Sequence, residues 1–371
     1  MIKKLLLVFI VLVLLTGCWD ERQFKNVKLV LAMGFDLNEE GLIHKTVSIP
    51  SIRRGSEGPG EETIQIVSTD AASPHQARER IDEQISESFD PSKAKVIVVG
   101  EDLAKKNIYP VLDEFYRNPN RNLNAYLAVA RGQAADVIGL KSSSDSRISN
   151  YISGLLQGAV ASSHATGENL QMICAELIEP GEDFSIPLIS ADQEKGLLKF
   201  EGMGLFHEDH YSGVDIPQDL STIFMLLQGR ENRIAKLTIK VSDNDDKLMN
   251  YITINVMKLK QDFKINVDGD EVDAEIDLDL KVRVVEYASN HLMENGKIDK
   301  LNEKISEVLT KDAEKVISLM QEANSDIFAV GRKVKAYHPD VYNKLDWKEY
   351  YPTMSYKTKV KVQILEHGII N

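Results

Sequence analysis

Short strand-like segments alternate with helix-like segments through the first half of the chain. Strands are predicted at residues 27–37, 42–50, 63–69, 94–100 and 125–131, and helices at 73–89, about 101–116 and, in three pieces, 134–179. The run at 94–100 is apolar throughout, which indicates a strand covered on both faces. This order of elements predicts a mixed sheet with helices packed on it.

The second half is richer in strands and contains one long amphipathic helix. Residues 181–196 have little periodicity and contain Pro187, so we interpret them as a connection. A hairpin is predicted at 197–206 and 211–216, an apolar helix at 219–229, and further strands at 234–242, 250–260, 262–268, 274–287 and 355–370. Helix 299–324 has an apolar face that includes Ile305 and Val316, opposite a Lys- and Glu-rich face. Packing on the domain's own sheet is favoured over a coiled-coil partner.

These patterns predict an α+β protein, and the length suggests two or three domains. The N-terminal α+β domain is expected at residues 27–190, a small middle domain at 197–236, and a C-terminal α+β domain at 237–371 that contains helix 299–324.

The N-terminus has the pattern of an export signal. Lys3 and Lys4 precede an apolar run at residues 5–15, which is shorter than the roughly 20 apolar residues that span a bilayer. The sequence Leu15-Thr16-Gly17-Cys18 resembles the bacterial lipobox. This resemblance implies removal of residues 1–17 by cleavage between Gly17 and Cys18. It also implies S-diacylglycerol and N-acyl groups on Cys18, and a lipid-anchored leader at 18–26.

The net charge limits what the chain can bind, and the cysteine content limits which disulfides it can form. The formal net charge of −13 disfavours binding to nucleic acid and to anionic lipid, so membrane attachment is expected through the lipid alone. The chain has two cysteines, and with Cys18 lipidated, Cys174 has no disulfide partner. Its apolar surroundings predict a small buried side chain.

Two groups of possible metal ligands do not fit known patterns. His207 and His210 are three residues apart at a predicted hairpin tip, whereas the metalloprotease pattern needs histidines four apart on a helix. Asp268, Asp270 and Asp273 lack the ligand spacing of an EF-hand loop and are interpreted as an exposed acidic turn. No catalytic or phosphate-binding motif is present either. We therefore predict no enzyme activity and no cofactor, and a chain that folds without metal or disulfide.

Several segments, taken in order, resemble one family. The sequence CWDERQ follows the lipobox, a strand contains GFDL at 34–37, FEG stands at 200–202, and Trp347 and the final strand follow DIFAVG at 326–331. This combination resembles the C subunits of spore germinant receptors, the Ger(x)C lipoproteins. The resemblance implies three domains, each a mixed or antiparallel β-sheet surrounded by helices and loops, and nutrient sensing at the outer face of the spore inner membrane. It also implies membrane-embedded A and B subunits as partners, and no established catalytic residues. Direct binding of the nutrient is left open.

The alternative interpretation is an exported lipoprotein that binds a small solute. Such a protein is expected to have two similar α/β lobes around a cleft. The strand-rich second half disfavours this alternative.

Overall fold

The computed structural model describes residues 27–53, 61–118, 121–142, 145–232, 234–292 and 294–368. The strands are β1 Val27–Leu29, β2 Ala32–Leu37, β3 Ile43–Arg53, β4 Glu61–Ala71, β5 Ser88–Asp90, β6 Val96–Gly100, β7 Tyr126–Ala130, β8 Ser185–Asp192, β9 Leu197–His207, β10 His210–Pro217, β11 Lys236–Lys240, β12 Tyr251–Asp268, β13 Glu271–Tyr287 and β14 Ser355–Glu366. The helices are α1 Pro74–Asp82, α2 Glu101–Lys106, α3 Tyr109–Tyr116, α4 Ala134–Ile138, α5 Ile148–Ala161, α6 Leu170–Ile178, α7 Gln218–Leu227, α8 Lys297–Glu322, α9 Val330–Tyr337, α10 Pro339–Tyr342 and α11 Trp347–Tyr350.

The largest sheet has eight strands in the order β10-β9-β8-β7-β6-β2-β3-β4. Its centre is parallel, with β2, β6, β7 and β8 side by side, and an antiparallel hairpin extends it at each edge. Helices α1, α2, α3 and α6 cover one face, and α4 and α5 cover the other. Side chains of β6 alternate between the two cores, with Ile97 and Val99 in one and Val96 and Val98 in the other. The prediction of a mixed sheet whose strand 94–100 is covered on both faces is therefore confirmed.

The second large sheet has four strands in the order β11-β12-β13-β14. The strands are antiparallel except that β14 runs parallel to β13. Helix α8 packs on this sheet through an apolar face, and the predicted faces of Ile305 and Val316 are confirmed because both side chains are fully buried. A two-stranded parallel sheet of β1 and β5 completes the α+β fold, as the sequence predicts.

Helix α7 joins the cores of the two large sheets. All eight residues from Leu220 to Leu227 are buried, including Ser221 and Thr222. It contacts β9 and β10 of the eight-stranded sheet, β12 and β13 of the four-stranded sheet, and α8. A helix that is apolar all round is stable only when it is covered on every side, so both sheets are needed to bury it.

Several predicted elements differ in extent, and the strands predicted at 250–260 and 262–268 are a single strand, β12. The helix predicted at 73–89 ends at Asp82, whose carboxylate accepts a hydrogen bond from the Phe89 amide at 2.6 Å and holds β5 beside β1. The strand predicted at 27–37 is divided into β1 and β2, which belong to different sheets. The helix predicted at 101–116 is two helices, because Asn107 ends α2 and caps Tyr109 at the start of α3.

Residues 181–196 are not an irregular connection. They contain β8, which pairs with β7 and β9 and has no polar–apolar alternation because Ile186, Leu188 and Ile189 are all buried between helices and neighbouring strands. The hairpin β9–β10 is confirmed, but it extends the eight-stranded sheet, so the segment 197–236 does not form a sheet of its own. The three-domain boundaries stay a prediction. The eight- and four-stranded sheets are also unlike the two similar lobes of the solute-binding alternative.

Candidate functional site

Asp183 connects three segments that are distant in sequence. One carboxylate oxygen accepts a hydrogen bond from the backbone amide of Glu208 at 2.7 Å, in the turn between β9 and β10. The other accepts from the backbone amide of Asp326 at 2.8 Å, in the loop after α8. The Asp183 amide in turn donates to the carbonyl oxygen of Asp326 at 3.1 Å. The loop before β8, the hairpin tip and the C-terminal loop therefore meet around this one side chain.

Asp326 is 2 % exposed and organises the C-terminal side of the same junction. Its carboxylate accepts hydrogen bonds from the backbone amides of Val330 at 2.9 Å and Gly331 at 2.7 Å, the first residues of α9. The indole Nε1 of Trp347 donates to the same carboxylate at 3.2 Å. A carboxylate at a helix N-terminus satisfies amides that lack a partner within the helix and interacts favourably with the helix dipole.

Two glycines let the backbones approach closely at this point. The amide of Arg332 donates to the carbonyl oxygen of Gly181 at 2.8 Å. A Cβ atom on Gly331 would lie 2.5 Å from Nε1 of Trp347, and one on Gly181 would lie 2.7 Å from the Gly331 carbonyl carbon. Neither position has room for a side chain, so the packing of Trp347 against α9 depends on glycine here.

A cleft of about 430 Å³ opens beside this junction, and we call it the junction cleft. It lies between the C-terminal end of α6, the tip of the β9–β10 hairpin, and the C-terminal segments around Asp326, Tyr342 and Trp347. The lining carboxylates are Glu176, Glu179, Glu182, Asp183, Glu208, Asp209 and Asp326, and the lining aromatic side chains are Tyr109, Tyr342, Trp347 and Tyr351. The cationic lining groups are Lys348 and, when protonated, His207. The lining is therefore rich in carboxyl groups, and Tyr342, Trp347 and Tyr351 form an aromatic wall.

The aromatic wall is packed as a cluster. The rings of Tyr342 and Trp347 have centroids 5.7 Å apart with an interplanar angle of 33°, and Tyr351 lies 6.4 Å from Trp347. The hydroxyl of Tyr351 donates to the carbonyl oxygen of Ser325 at 2.9 Å, and the hydroxyl of Ser325 donates to the carbonyl oxygen of Phe206. These bonds tie the wall to the eight-stranded sheet.

Burial and neighbouring charges change the pKa values in the cleft. Burial raises the pKa of Asp326 to about 7, although three donors partly oppose it. Burial and the nearby Glu168 carboxylate raise the pKa of Glu176 to about 8. The hydrogen bond to Asp183, whose Oδ2 lies 3.5 Å from Nδ1 of His207, raises the pKa of that histidine. All three side chains therefore retain a proton to higher pH than they do in water.

The residues singled out by the sequence are distributed over several places. Gly17 and Cys18 lie outside the described residues. His207 lines the junction cleft, whereas His210 is exposed and pairs with Asp209. The sequence predicted a small buried side chain for Cys174, but on α6 this side chain is only partly buried. In the acidic turn Asp268 and Asp270 are exposed as predicted, while Asp273 is half-buried and accepts a hydrogen bond from Asn266.

Among the residues that the structure describes, no group of three or more His, Cys, Asp and Glu side chains is arranged to hold a metal ion. Within the same residues, no helix has the length and apolar character needed to cross a bilayer.

Sequence reasoning missed Asp183 and Glu176. Asp183 lies in the stretch interpreted as a connection, and its partners are 25 and 143 residues away, so no local pattern marks it. The signal that was available is a charged residue directly before the apolar run FSIPLI at 184–189. The segment DIFAVG and Trp347 did stand out in sequence, and the structure brings Asp326, Gly331 and Trp347 together beside the cleft.

Two family profiles match this chain. Residues 20–191 match the family described as "Spore germination protein N-terminal domain", and residues 201–368 match "Spore germination B3/ GerAC like, C-terminal". The chain belongs to the spore germinant-receptor C-subunit family. The border between the two profiles falls between β8 and β9, which are neighbours within one sheet.

Two relatives match this chain over nearly the whole length of both proteins. The spore germination protein GerQC of Bacillus cereus is 23 % identical over 368 residues, which cover 99 % of each chain. The spore germination protein B3 of Bacillus subtilis (strain 168) is 22 % identical, over 99 % of this chain and 98 % of that protein. The crystal structure of the GerBC protein matches with a TM-score of 0.58 and 18 % identity, over 90 % of this chain and 96 % of that one, and shows the same fold.

Proposed function

We propose that this germinant-receptor C subunit is a non-catalytic lipoprotein, held by Cys18 on the outer face of the spore inner membrane. The observation that carries the proposal is the pair of family matches, which together span nearly the whole chain from residue 20 to residue 368. The first match begins two residues after Cys18, so the matched part corresponds to the chain that would remain after signal cleavage. The lipid would supply the membrane attachment that an acidic surface does not.

The subunit acts by contact with the membrane-embedded A and B subunits of the receptor. Tethering to the same membrane raises the effective concentration of the subunit near its partners, so contacts that are weak in solution become occupied. In the junction cleft, Asp183 and Asp326 accept hydrogen bonds from backbone amides, and Glu182 pairs with Arg332, so these acids hold the segments around the cleft together. This arrangement supports a binding role over a catalytic one.

Metabolic labelling with a fatty acid tests the anchor. Wild-type chain should incorporate the label, and Cys18→Ala should not incorporate it and should keep its signal peptide. Cys174→Ala is the matched control and should be labelled like the wild type, because Cys174 lies on a helix of the folded domain. A labelled Cys18→Ala chain would show that the lipid is attached elsewhere and would overturn the proposal.

Co-purification tests the contact. We expect full-length chain to bring down the A and B subunits from detergent-solubilised membranes, and Cys18→Ala to recover them only at much higher concentration. Germination through this receptor should weaken in the Cys18→Ala strain in parallel. If neither subunit co-purifies with the lipidated chain under any condition, the contact mechanism is wrong even when the anchor is present.

A further inference from the structure

We infer that one end of the four-stranded sheet binds the surface of an anionic lipid bilayer through its outer face, the face turned away from α7 and α8. The inference rests on the lipid anchor of the proposed function and deepens it. The anchor holds the chain at the membrane, and this face determines which side of the folded chain meets the bilayer. The chain as a whole is acidic, so the contact depends on the local arrangement of apolar and cationic side chains.

Three strands of this sheet each carry a β-bulge near the same end. Met257 in β12, Val285 in β13 and Leu365 in β14 have no partner in the register between neighbouring strands. A bulge interrupts the ladder of hydrogen bonds and redirects side chains. All three extra residues are apolar, and each is followed by an exposed charged residue, namely Lys258, Glu286 and Glu366. We call this part of the outer face, with Met257, Val285 and Leu365, the bulge end.

The apolar side chains of the bulge end point away from the core. The residue before each of them is buried in the core shared with α7 and α8, namely Val256, Val284 and Ile364. Consecutive side chains in a strand point to opposite faces, so the three bulged residues lie on the outer face. Met257 is 39 % exposed, and Val285 and Leu365 are each 48 % exposed. Tyr251, at the start of β12, is exposed beside them. The folded chain therefore leaves an apolar surface uncovered at this end.

Cationic side chains lie among these apolar residues. Lys258 and Lys281 are directly opposite each other in register, an arrangement in which like charges repel. Neither lysine forms an ion pair with any residue that the structure describes. Arg283 lies on the same face two residues after Lys281, and its guanidinium is 3.8 Å from the carboxylate of Glu366. The bulge end therefore carries a pair of lysines whose charges the folded chain does not compensate.

The other end of the same face differs, because its charges are balanced. There the acidic residues of β13 lie opposite lysines of β14, in the pairs Glu275–Lys357, Asp277–Lys359 and Asp279–Lys361. Opposite charges in this position stabilise the sheet and leave little net charge for a partner. A charged surface that binds an anionic partner is therefore expected at the bulge end.

An anionic bilayer matches both the apolar and the cationic side chains. Apolar side chains enter the boundary between headgroups and acyl chains, and lysine side chains extend so that their ammonium groups reach the phosphates. Phosphate oxygens beside Lys258 and Lys281 would offset the repulsion between these two cations. The membrane is also the surface to which the lipid on Cys18 would hold the chain, so a contact that is weak in solution becomes occupied there.

Fluorescence quenching in vesicles tests the inference on the full-length, lipidated chain. A polarity-sensitive fluorophore is attached at Val285→Cys in a Cys174→Ala background, and the chain is reconstituted into vesicles whose lipids carry a nitroxide quencher. We expect quenching and a blue shift in an equimolar mixture of phosphatidylglycerol and phosphatidylcholine. Both should be lost in phosphatidylcholine alone and in high salt, which screens the attraction. The matched control is the same fluorophore at Glu303→Cys, on the exposed face of α8, which should be quenched in neither kind of vesicle.

Charge reversal locates the contact. Lys258→Glu/Lys281→Glu should reduce the quenching at position 285 to its level in phosphatidylcholine alone. Lys300→Glu/Lys315→Glu makes the same change in net charge at exposed positions of α8 and should leave the quenching unchanged. The inference is overturned if the fluorophore at position 285 is not quenched in anionic vesicles, or if the two double variants behave alike.

Two further results separate this contact from the other contacts of the subunit. Fatty-acid labelling of the same preparation shows whether the anchor is present, so a labelled chain without quenching overturns this inference and leaves the proposed function standing. An unlabelled wild-type chain would overturn the anchor and this inference with it. Shielding of position 285 only when the A and B subunits are added would show that the bulge end is a protein contact, and would overturn its assignment to the bilayer.

Discussion

The hydroxyl oxygen of Ser306 in α8 accepts a hydrogen bond from the backbone amide of Val362 in β14, at 2.9 Å. The same contact recurs one helical turn to either side, from Ile364 to Asn302 at 2.9 Å and from Val360 to Thr310 at 3.0 Å. β14 is the outermost strand of the four-stranded sheet, and these three side chains satisfy amides that would otherwise face solvent. Helix α8 therefore covers an edge to which another strand could pair.

Removing this cover should both destabilise the chain and expose the strand edge. The triple variant Asn302→Ala/Ser306→Ala/Thr310→Ala leaves three amides unpaired, which should lower the unfolding free energy by about 1 kcal/mol for each lost bond. An uncovered edge also favours pairing between copies. Urea unfolding should measure the first effect and sedimentation velocity the second. A triple variant that is as stable and as monomeric as the wild type would show that water replaces the three side chains without cost.

The apolar face of α8 is expected to tolerate no charge. Ile305 is fully buried, so Ile305→Asp places an unpaired carboxylate in the core and should cost at least about 3 kcal/mol of unfolding free energy. Glu307→Lys on the exposed face of the same helix should leave the unfolding free energy nearly unchanged, since surface ion pairs contribute little. Far-UV circular dichroism during thermal unfolding separates the two variants. If Ile305→Asp melts like the wild type, the packing of α8 is not as described.

Gly331→Ala should displace Trp347. The added Cβ atom would lie 2.5 Å from the indole Nε1 and 2.9 Å from the Cα of Gly181, so the ring must move and lose its hydrogen bond to Asp326. We expect a loss of about 2 kcal/mol in unfolding free energy and a shift in tryptophan emission. The emission is measured in a Trp19→Phe background, because the chain has two tryptophans.

The matched control for this variant is Gly154→Ala in the middle of α5. No heavy atom lies within 4 Å of a Cβ placed there, and alanine is the better helix former. This variant should gain up to about 1 kcal/mol and leave the emission of Trp347 unchanged. Opposite signs for the two glycines would separate close packing from helix propensity, and a gain for Gly331→Ala would contradict the tight contact.

Stability should fall as pH rises from about 5 to 8. Glu176 and Asp326 have folded-state pKa values of about 8 and about 7, well above the ordinary values near 4 of the unfolded chain. The folded chain therefore binds more protons than the unfolded chain in this window, and its advantage is lost as the pH passes each raised pKa. The raised pKa of His207 also makes stability fall with rising pH, at pH values above the ordinary pKa of histidine.

Glu176→Gln tests this dependence. Glutamine has no carboxyl proton to release. The unfolding free energy of the variant should therefore fall less steeply with rising pH, and its slope should differ from that of the wild type by at most about 1.4 kcal/mol per pH unit. Urea unfolding from pH 5 to pH 8.5, with Glu303→Gln as the control, gives the slope directly. Equal slopes in the wild type and in Glu176→Gln would mean that Glu176 is already ionised in the folded chain.

Local patterns determined most of the elements of this protein. The alternating or apolar runs gave β6, β7 and the β9–β10 hairpin, and the 3.6-residue spacing gave α8 with Ile305 and Val316 on its buried face. These features depend on side chains a few residues apart, which a single sequence displays. The family resemblance likewise depended on short segments read in order, and both family matches support it.

Tertiary structure alone decided how these elements combine. Ser185–Asp192 shows no alternation because both of its faces are buried, so its place in the sheet follows from neighbours rather than from its own pattern. Glu114 lies 3.1 Å from the buried charge of Lys45 and 3.2 Å from that of Arg121, and it compensates both although Lys45 is distant in sequence. Likewise, the carboxylate of Asp183 accepts a hydrogen bond from the backbone amide of Asp326, which is 143 residues away in sequence. A sequence specifies which polar and charged groups need a partner when they are buried, but only the folded chain determines which distant group is that partner.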